Sequence, residues 1–366
     1  YDSIFNIQSS FGIVQPFETN FTSAILTDEG VYIGTEDFGI LKTTTENSII
    51  YEEIHPDGPL RNTPFSVTAS NGEAWVTYGE YDVGYNPYPL TKAGINYLNE
   101  QWRAISYDSI VNSINQDAFE LNSISINPIN SGQVFISSFF HGILEINNYE
   151  VVNLFNESNS GLQSLILPSD PNYKDIRVSG SIFDSNGLLW SITSMIAKPL
   201  KSYNVNTGQW NSYSFSDILL DPFDELGYSD LVIGNDGTKW IGSYLNGVFG
   251  FNENGNRLKN IFDENVANLP SPDIRSLAMD NRNQLWIGTT KGLRVLYNTT
   301  NFFDEASVST QPIIILEEGI PKELLERQYI SDIKVDGSNN KWVGTIGAGV
   351  FYFTSDGQET IYHFTK

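Results

Sequence analysis

One pattern of apolar and polar positions recurs along the chain. Leu285-Trp286-Ile287-Gly288-Thr289, then Gly292-Leu293-Arg294-Val295, reads as a strand, a tight turn and a second strand. Trp, Ile, Thr, Leu and Val favour extended backbone, and Gly292 supplies a turn conformation that a residue with a Cβ resists. Further copies occupy residues 31–35, 74–77, 134–138, 189–193, 239–243 and 341–345, so that Tyr32, Trp75, Phe135, Trp190, Trp240, Trp286 and Trp342 align. Their spacings are 43, 60, 55, 50, 46 and 56 residues, about 52 on average.

Each copy sits in a larger unit. Upstream lies an apolar run ending in a polar turn, as in residues 274–279 before Asp280-Asn281 and 330–335 before Asp336-Gly337. Downstream lies another extended run, such as 210–215 or 360–364. Four antiparallel strands in a unit of roughly 40–50 residues is the grammar of a propeller blade. The expectation is an all-β chain, a seven-bladed β-propeller with four antiparallel strands per blade, filling residues 1–366 as one domain. A closed ring is preferred to an open stack because closure protects sheet edges. Both faces of a blade pack on neighbours, so the aligned tryptophans are expected in the core. The motif glycines Gly34, Gly242, Gly288 and Gly344 are expected to leave room for an adjacent bulky ring. Residues 1–7 resemble the tail of a preceding blade and are expected to extend or cap the edge of blade seven.

Composition narrows the chemistry. The chain has no cysteine, which excludes disulfides, cysteine-ligated zinc and thiol catalysis. With 44 acidic against 20 basic residues the net charge is −24, a field that repels phosphate backbones and argues against nucleic-acid partners. No apolar run approaches the 20 residues of a transmembrane helix. The chain opens on Tyr1 rather than Met; it is read as a fragment of a longer multi-domain protein.

No catalytic or metal-binding grammar emerges. The Asp/Asn-Gly clusters, such as Asn186-Gly187 and Asp236-Gly237, sit between strands and read as hairpin turns. Calcium loops need carboxylates alternating over about a dozen residues, which these lack. His55, His141 and His363 fall in three different repeats. The expectation is a protein without enzymatic activity, metal or cofactor. Two segments depart from the repeat. Residues 301–328 include 321–327, expected as one short helix. Residues 78–93 form an insertion rich in Gly, Tyr and Pro. Function gathers on loops carried by a rigid scaffold, so Tyr81, Tyr85 and Tyr88 are the candidate contacts for a ligand or partner, being stiff amphipathic rings.

The Leu-Trp-Ile-Gly-Thr…Gly-Leu signature resembles the propeller repeats of sensor ectodomains in hybrid two-component systems. Residues 59–63, the stretch 79–88 and the last repeat, ending Ile361-Tyr362-His363-Phe364-Thr365, resemble more closely the PorZ family of the type IX secretion system. That resemblance implies two seven-bladed propellers and a C-terminal sandwich in the whole protein, of which one propeller is present. It also implies a non-enzymatic subunit at the outer membrane surface or in the periplasm. Such a subunit partners a sortase complex and binds or presents anionic lipopolysaccharide. The other reading is a periplasmic sensing propeller that recognises oligosaccharide.

Overall fold

The structure, a computed structural model, describes residues 7, 10–12, 19–36, 38–44, 50–54, 57–59, 61–70, 72–317 and 319–365. Among them, each aligned aromatic lies in the second strand of its own antiparallel sheet. Sheet one runs through Phe21–Thr27, Gly30–Thr35, Ile40–Thr43 and Glu52–Ile54, and sheet two through Ser66–Ser70, Glu73–Thr77, Ile95–Asn99 and Gln101–Ile105. Sheet three follows with Leu121–Ile126, Gln133–Ser138, Gly142–Asn147 and Glu150–Phe155, and sheet four with Val178–Phe183, Leu188–Thr193, Leu200–Asn204 and Gln209–Tyr213. Sheet five is Tyr228–Ile233, Lys239–Ser243, Val248–Asn252 and Arg257–Ile261, and sheet seven is Ile330–Val335, Lys341–Thr345, Gly349–Phe353 and Thr360–Phe364. All six are four-stranded meanders.

Sheet six departs from the expected four strands. It has three, Ile274–Met279, Leu285–Thr289 and Gly292–Leu296, and its free edge pairs with a single residue, Gln311, through Val295. The chain then forms a separate hairpin, Ile314–Glu317 with Ile320–Glu323. The helix expected over 321–327 is therefore replaced at its start by a strand. Gly319, at φ 79, makes the turn, and Pro321 pairs opposite Leu316. Among the described residues, helix is confined to Tyr107–Ile114, capped by Ser106, the single turn Glu264–Ala267 and a 3-10 turn, Pro222–Asp224.

Consecutive sheets share their cores. Apolar clusters join sheets two and three, three and four, four and five, five and six, and six and seven. Sheet one has a small cluster of its own around Val31, Ile33, Phe38 and Leu41. Trp75, Phe135, Trp190, Trp240 and Trp286 are at most 1% exposed. Two of them are capped by a lysine from the next sheet: Lys239 lies 3.8 Å above Trp190, and Lys341 lies 4.5 Å above Trp286. These ammonium groups are buried and hold carboxylates, Glu253 at 2.5 Å and Asp280 at 3.0 Å, so the cation–π contact is made without an unpaired charge. Trp342 differs, being 38% exposed and stacked on Tyr352 and Phe364 of its own sheet.

The motif glycine also works differently from expectation. A Cβ on Gly242 would stand 2.9 Å from Ile274, and one on Gly288 would stand 2.6 Å from Ile330. At these two positions the slot takes the β-branched first residue of the next sheet rather than an aromatic ring, while the atoms nearest a Cβ at Gly34 and Gly344 belong to their own sheets. The turn aspartates are structural. Asp184 and Asp280 each accept two backbone N–H groups and the indole N–H of their own sheet's tryptophan. The expectation for residues 1–7 concerns a segment that, apart from Ile7, lies outside the described residues, as does His55.

Candidate functional site: a plugged axial cavity

The first strands of sheets two to seven stand side by side and line one cavity of about 1110 Å³. Most of these strands carry a bulge near their start, which turns polar side chains toward the neighbouring strand. Asn122 Nδ2 donates to Val178 O and Ser179 O at 3.3 Å. Ser125 Oγ donates to Ser181 O at 2.5 Å. Ser276 Oγ lies between Asp230 Oδ2 (3.3 Å) and Asp332 Oδ1 (3.2 Å) and accepts from Ile333 N–H. Lys334 pairs with Asp332 at 3.0 Å. Burial pushes the Asp230 carboxyl up; Lys334 and two backbone N–H groups oppose the rise, and Asp332 adds to it.

The insertion, residues 78–93, crosses one end of this cavity. One carboxylate holds both its stems. Glu120 is fully buried and accepts the backbone N–H of Glu80 (2.7 Å) and of Thr91. Burial pushes this carboxyl up to about 7, against the pull of those N–H donors and helped by the charge of Glu80. Between about pH 4.5 and 7 the folded chain thus keeps a proton that the unfolded chain has released, so stability falls as pH rises through that window. Glu120→Gln, which cannot ionise, is expected to flatten this part of the curve. Melting temperatures of variant and parent measured from pH 4.5 to 8 check it; parallel curves would overturn it.

The tip of the insertion is built to be held. Asp82 Oδ1 accepts Gly84 N–H and Asn86 N–H, closing a tight turn that leaves Tyr85 at φ 60. Tyr85, 1% exposed, lies against Gly227, where a Cβ would stand 1.9 Å from its ring. Tyr81 stacks on Tyr85 at 4.9 Å and tilts over Phe139 at 4.3 Å. Two arginines reach the tip. Arg275 Nη2 donates to Val83 O at 2.8 Å, and Arg177 Nη1 to Tyr85 O at 3.2 Å. Each is fixed by the aspartate two residues before it, Asp273 at 2.6 Å and Asp175 at 2.8 Å.

The three candidate tyrosines therefore part company. Tyr81 lines the cavity, Tyr85 locks the plug, and Tyr88 is 47% exposed on the outer side. Tyr88 is still wired inward: its hydroxyl meets Tyr173 OH at 2.7 Å, and Tyr173 donates to Asp175, the partner of Arg177. Sequence reasoning passed over Glu120, Gly227 and the two arginines. The available signal was the tripeptide Asp-Ile-Arg, spelled identically at 175–177 and 273–275 and entering a first strand both times. Among the described residues no group of His, Asp and Glu is arranged to hold a metal, and no helix is long and apolar enough to cross a membrane.

Antiparallel sheets around such a cavity define a β-propeller fold, and comparison with known proteins agrees. A family profile described as "Two component regulator propeller" matches residues 268–291, the entry into sheet six and its first hairpin. No curated protein matches the chain. In fold the chain resembles PorZ, a surface component of the type-IX secretion system of Porphyromonas gingivalis, with a TM-score of 0.77 and 20% identity over 92% of this chain. The extracellular domain of a B. thetaiotaomicron protein described as a hybrid two component system gives 0.53 and 15% over 91%. The β-propeller domain of Cps50 (Swd1) from Myceliophteria thermophila gives 0.53 and 6% over 82%. The chain spans 46% of the PorZ chain and 38% of the B. thetaiotaomicron chain.

Proposed function

We propose that this chain is a non-enzymatic binding propeller of type IX secretion machinery on the outer surface, which partners a sortase and presents or binds anionic lipopolysaccharide. The observation that carries this reading is the PorZ likeness, with a TM-score of 0.77 against 0.53 for the sensor ectodomain. Tyr88, exposed beside the plug, is the outward contact in this reading. The test is a pull-down with purified sortase complex and with anionic lipopolysaccharide. Retention by the parent chain and loss with Tyr88→Ala at an unchanged melting temperature is the expected result; no retention of either by the parent overturns it. The profile match at residues 268–291 favours a second reading, an extracytoplasmic sensing propeller for oligosaccharide. It predicts that deleting the gene changes transcription while leaving secreted cargo attached to the surface.

The ring is proposed to close as seven blades, with sheet one packed on sheet seven. Gly288 receives Ile330, which pairs with Thr345; Phe21 pairs with Thr35 in the equivalent place, before the same bulge. Among the described residues the atoms nearest a Cβ at Gly344 belong to its own sheet, Ser331 and Asp332; Phe21 holds the position in sheet one that Ile330 holds in sheet seven, and in this proposal it enters the slot as a ring in place of an isoleucine. In a chain without cysteine, Phe21→Cys with Gly344→Cys is expected to form a disulfide on oxidation, read by mobility and mass. Gly288→Cys with Ile330→Cys is the positive control, and cross-linking of the control pair alone overturns closure.

A further inference from the structure

The cavity wall mixes aromatic rings with polar groups. At the plug end Tyr81 and Phe65 meet edge to face, with centroids 5.1 Å apart. The starts of the first strands add hydroxyls and carboxylates to the same wall, Ser66, Ser123 and Ser331 with Asp230 and Asp332. An aromatic surface beside converging hydroxyls and carboxylates suits a pyranose, whose C–H face packs on a ring and whose vicinal hydroxyls donate to a carboxylate. At about 1110 Å³ the space exceeds the roughly 300–1,000 Å³ of ordinary small-molecule sites, enough for several sugar rings.

Charge decides which sugars. Among the described residues two cations line the cavity. Lys334 is paired with Asp332, and Arg275 is fixed by Asp273 and turned to the plug. Asp230 has no cation in hydrogen-bond contact; its oxygens take Leu277 N–H, Leu231 N–H and Ser276 Oγ. In a chain of net charge −24, a phosphate or sulfate group entering here meets carboxylate and, among the described lining residues, no cation without a carboxylate partner.

We infer that the cavity binds a short oligosaccharide of neutral or amine-bearing sugars, seated on Tyr81 with its hydroxyl or ammonium groups on Asp230 and Asp332. The inference rests on the sugar-recognition part of the proposed function and adds where the sugar sits and what charge it carries. An anionic lipopolysaccharide that uses this cavity enters by an uncharged or amine-bearing segment, and its phosphates stay outside.

Three tetrasaccharides test this by isothermal titration calorimetry: tetraglucosamine, chitotetraose and a heparin tetrasaccharide. Tetraglucosamine is expected to bind tightest, chitotetraose next and heparin not measurably. Asp332→Asn, at a side chain 54% exposed, is expected to weaken tetraglucosamine by about tenfold or more at an unchanged melting temperature. Leu220→Ser, at a remote residue 91% exposed, leaves binding unchanged. Heparin binding as tightly as tetraglucosamine, or Asp332→Asn binding like the parent, overturns the inference. So does failure of all three sugars to bind; if the pull-down with sortase or lipopolysaccharide still succeeds, the cavity inference alone falls and the proposed function stands.

Discussion

Trp286→Ala is expected to cost about 3–5 kcal/mol of folding stability, the range for deleting a large buried aromatic. The ring is 1% exposed and joins the cluster between sheets six and seven. Its indole N–H meets Asp280 Oδ2 at 3.3 Å, and Lys341 covers its face. Removal opens a cavity and strips the π face from an ammonium that is itself fully buried, so the loss includes weakened support of the Lys341–Asp280 pair. Denaturant unfolding followed by fluorescence measures it, and a loss below about 1 kcal/mol would show that the ring is not packed between sheets. Trp342→Ala carries the matching information about closure. Packed under sheet one, it should lose an amount close to that of Trp286→Ala; open to solvent, much less.

These aromatics were legible because the repeat is a packing unit. A strand buried on both faces is apolar at successive positions, so the Trp-Ile pair and the turn glycine signal it without any neighbour being known. What fills the motif glycine was not legible, because Ile274 and Ile330 belong to the following repeat, and a period says nothing about which side chain crosses between copies. The same limit hid the plug. Residues 78–93 stand out as an insertion, and their tyrosines read as surface rings. Nothing local says that Tyr85 will meet Gly227, some 140 residues away, or that Arg275 will reach back to Val83. The loss of the fourth strand in sheet six was hidden for another reason. Residues 312–317 keep strand-forming composition, and they spend it on a hairpin with 320–323 instead of on the sheet edge.

Gly227→Ala should unseat the plug. The added Cβ would lie 1.9 Å from Cγ of Tyr85 and 2.1 Å from Cδ1, well inside contact distance. The ring cannot simply slide aside: Tyr81 stacks on it, Tyr244 stands 5.7 Å away, and Arg275 covers it at 5.4 Å. The backbone at 227 is tied as well, its N–H to Glu225 at 3.2 Å and its carbonyl to Tyr244 N–H at 3.0 Å. Overpacking of this kind costs about 1–3 kcal/mol, occasionally more. The insertion is bonded at its stems by Glu120 and at its tip by two arginines, so the cheapest relief is for the tip to lift while the stems hold. The expected result is a lowered melting temperature together with new protease cleavage within residues 79–90, while the sheets keep their far-ultraviolet signature. Gly180→Ala is the control, since its nearest neighbour, Ser123 Oγ, lies 3.6 Å from the added carbon, and it should behave like the parent. If Gly227→Ala melts and resists protease like the parent, Tyr85 does not occupy the slot, and the insertion is not the closure of the cavity.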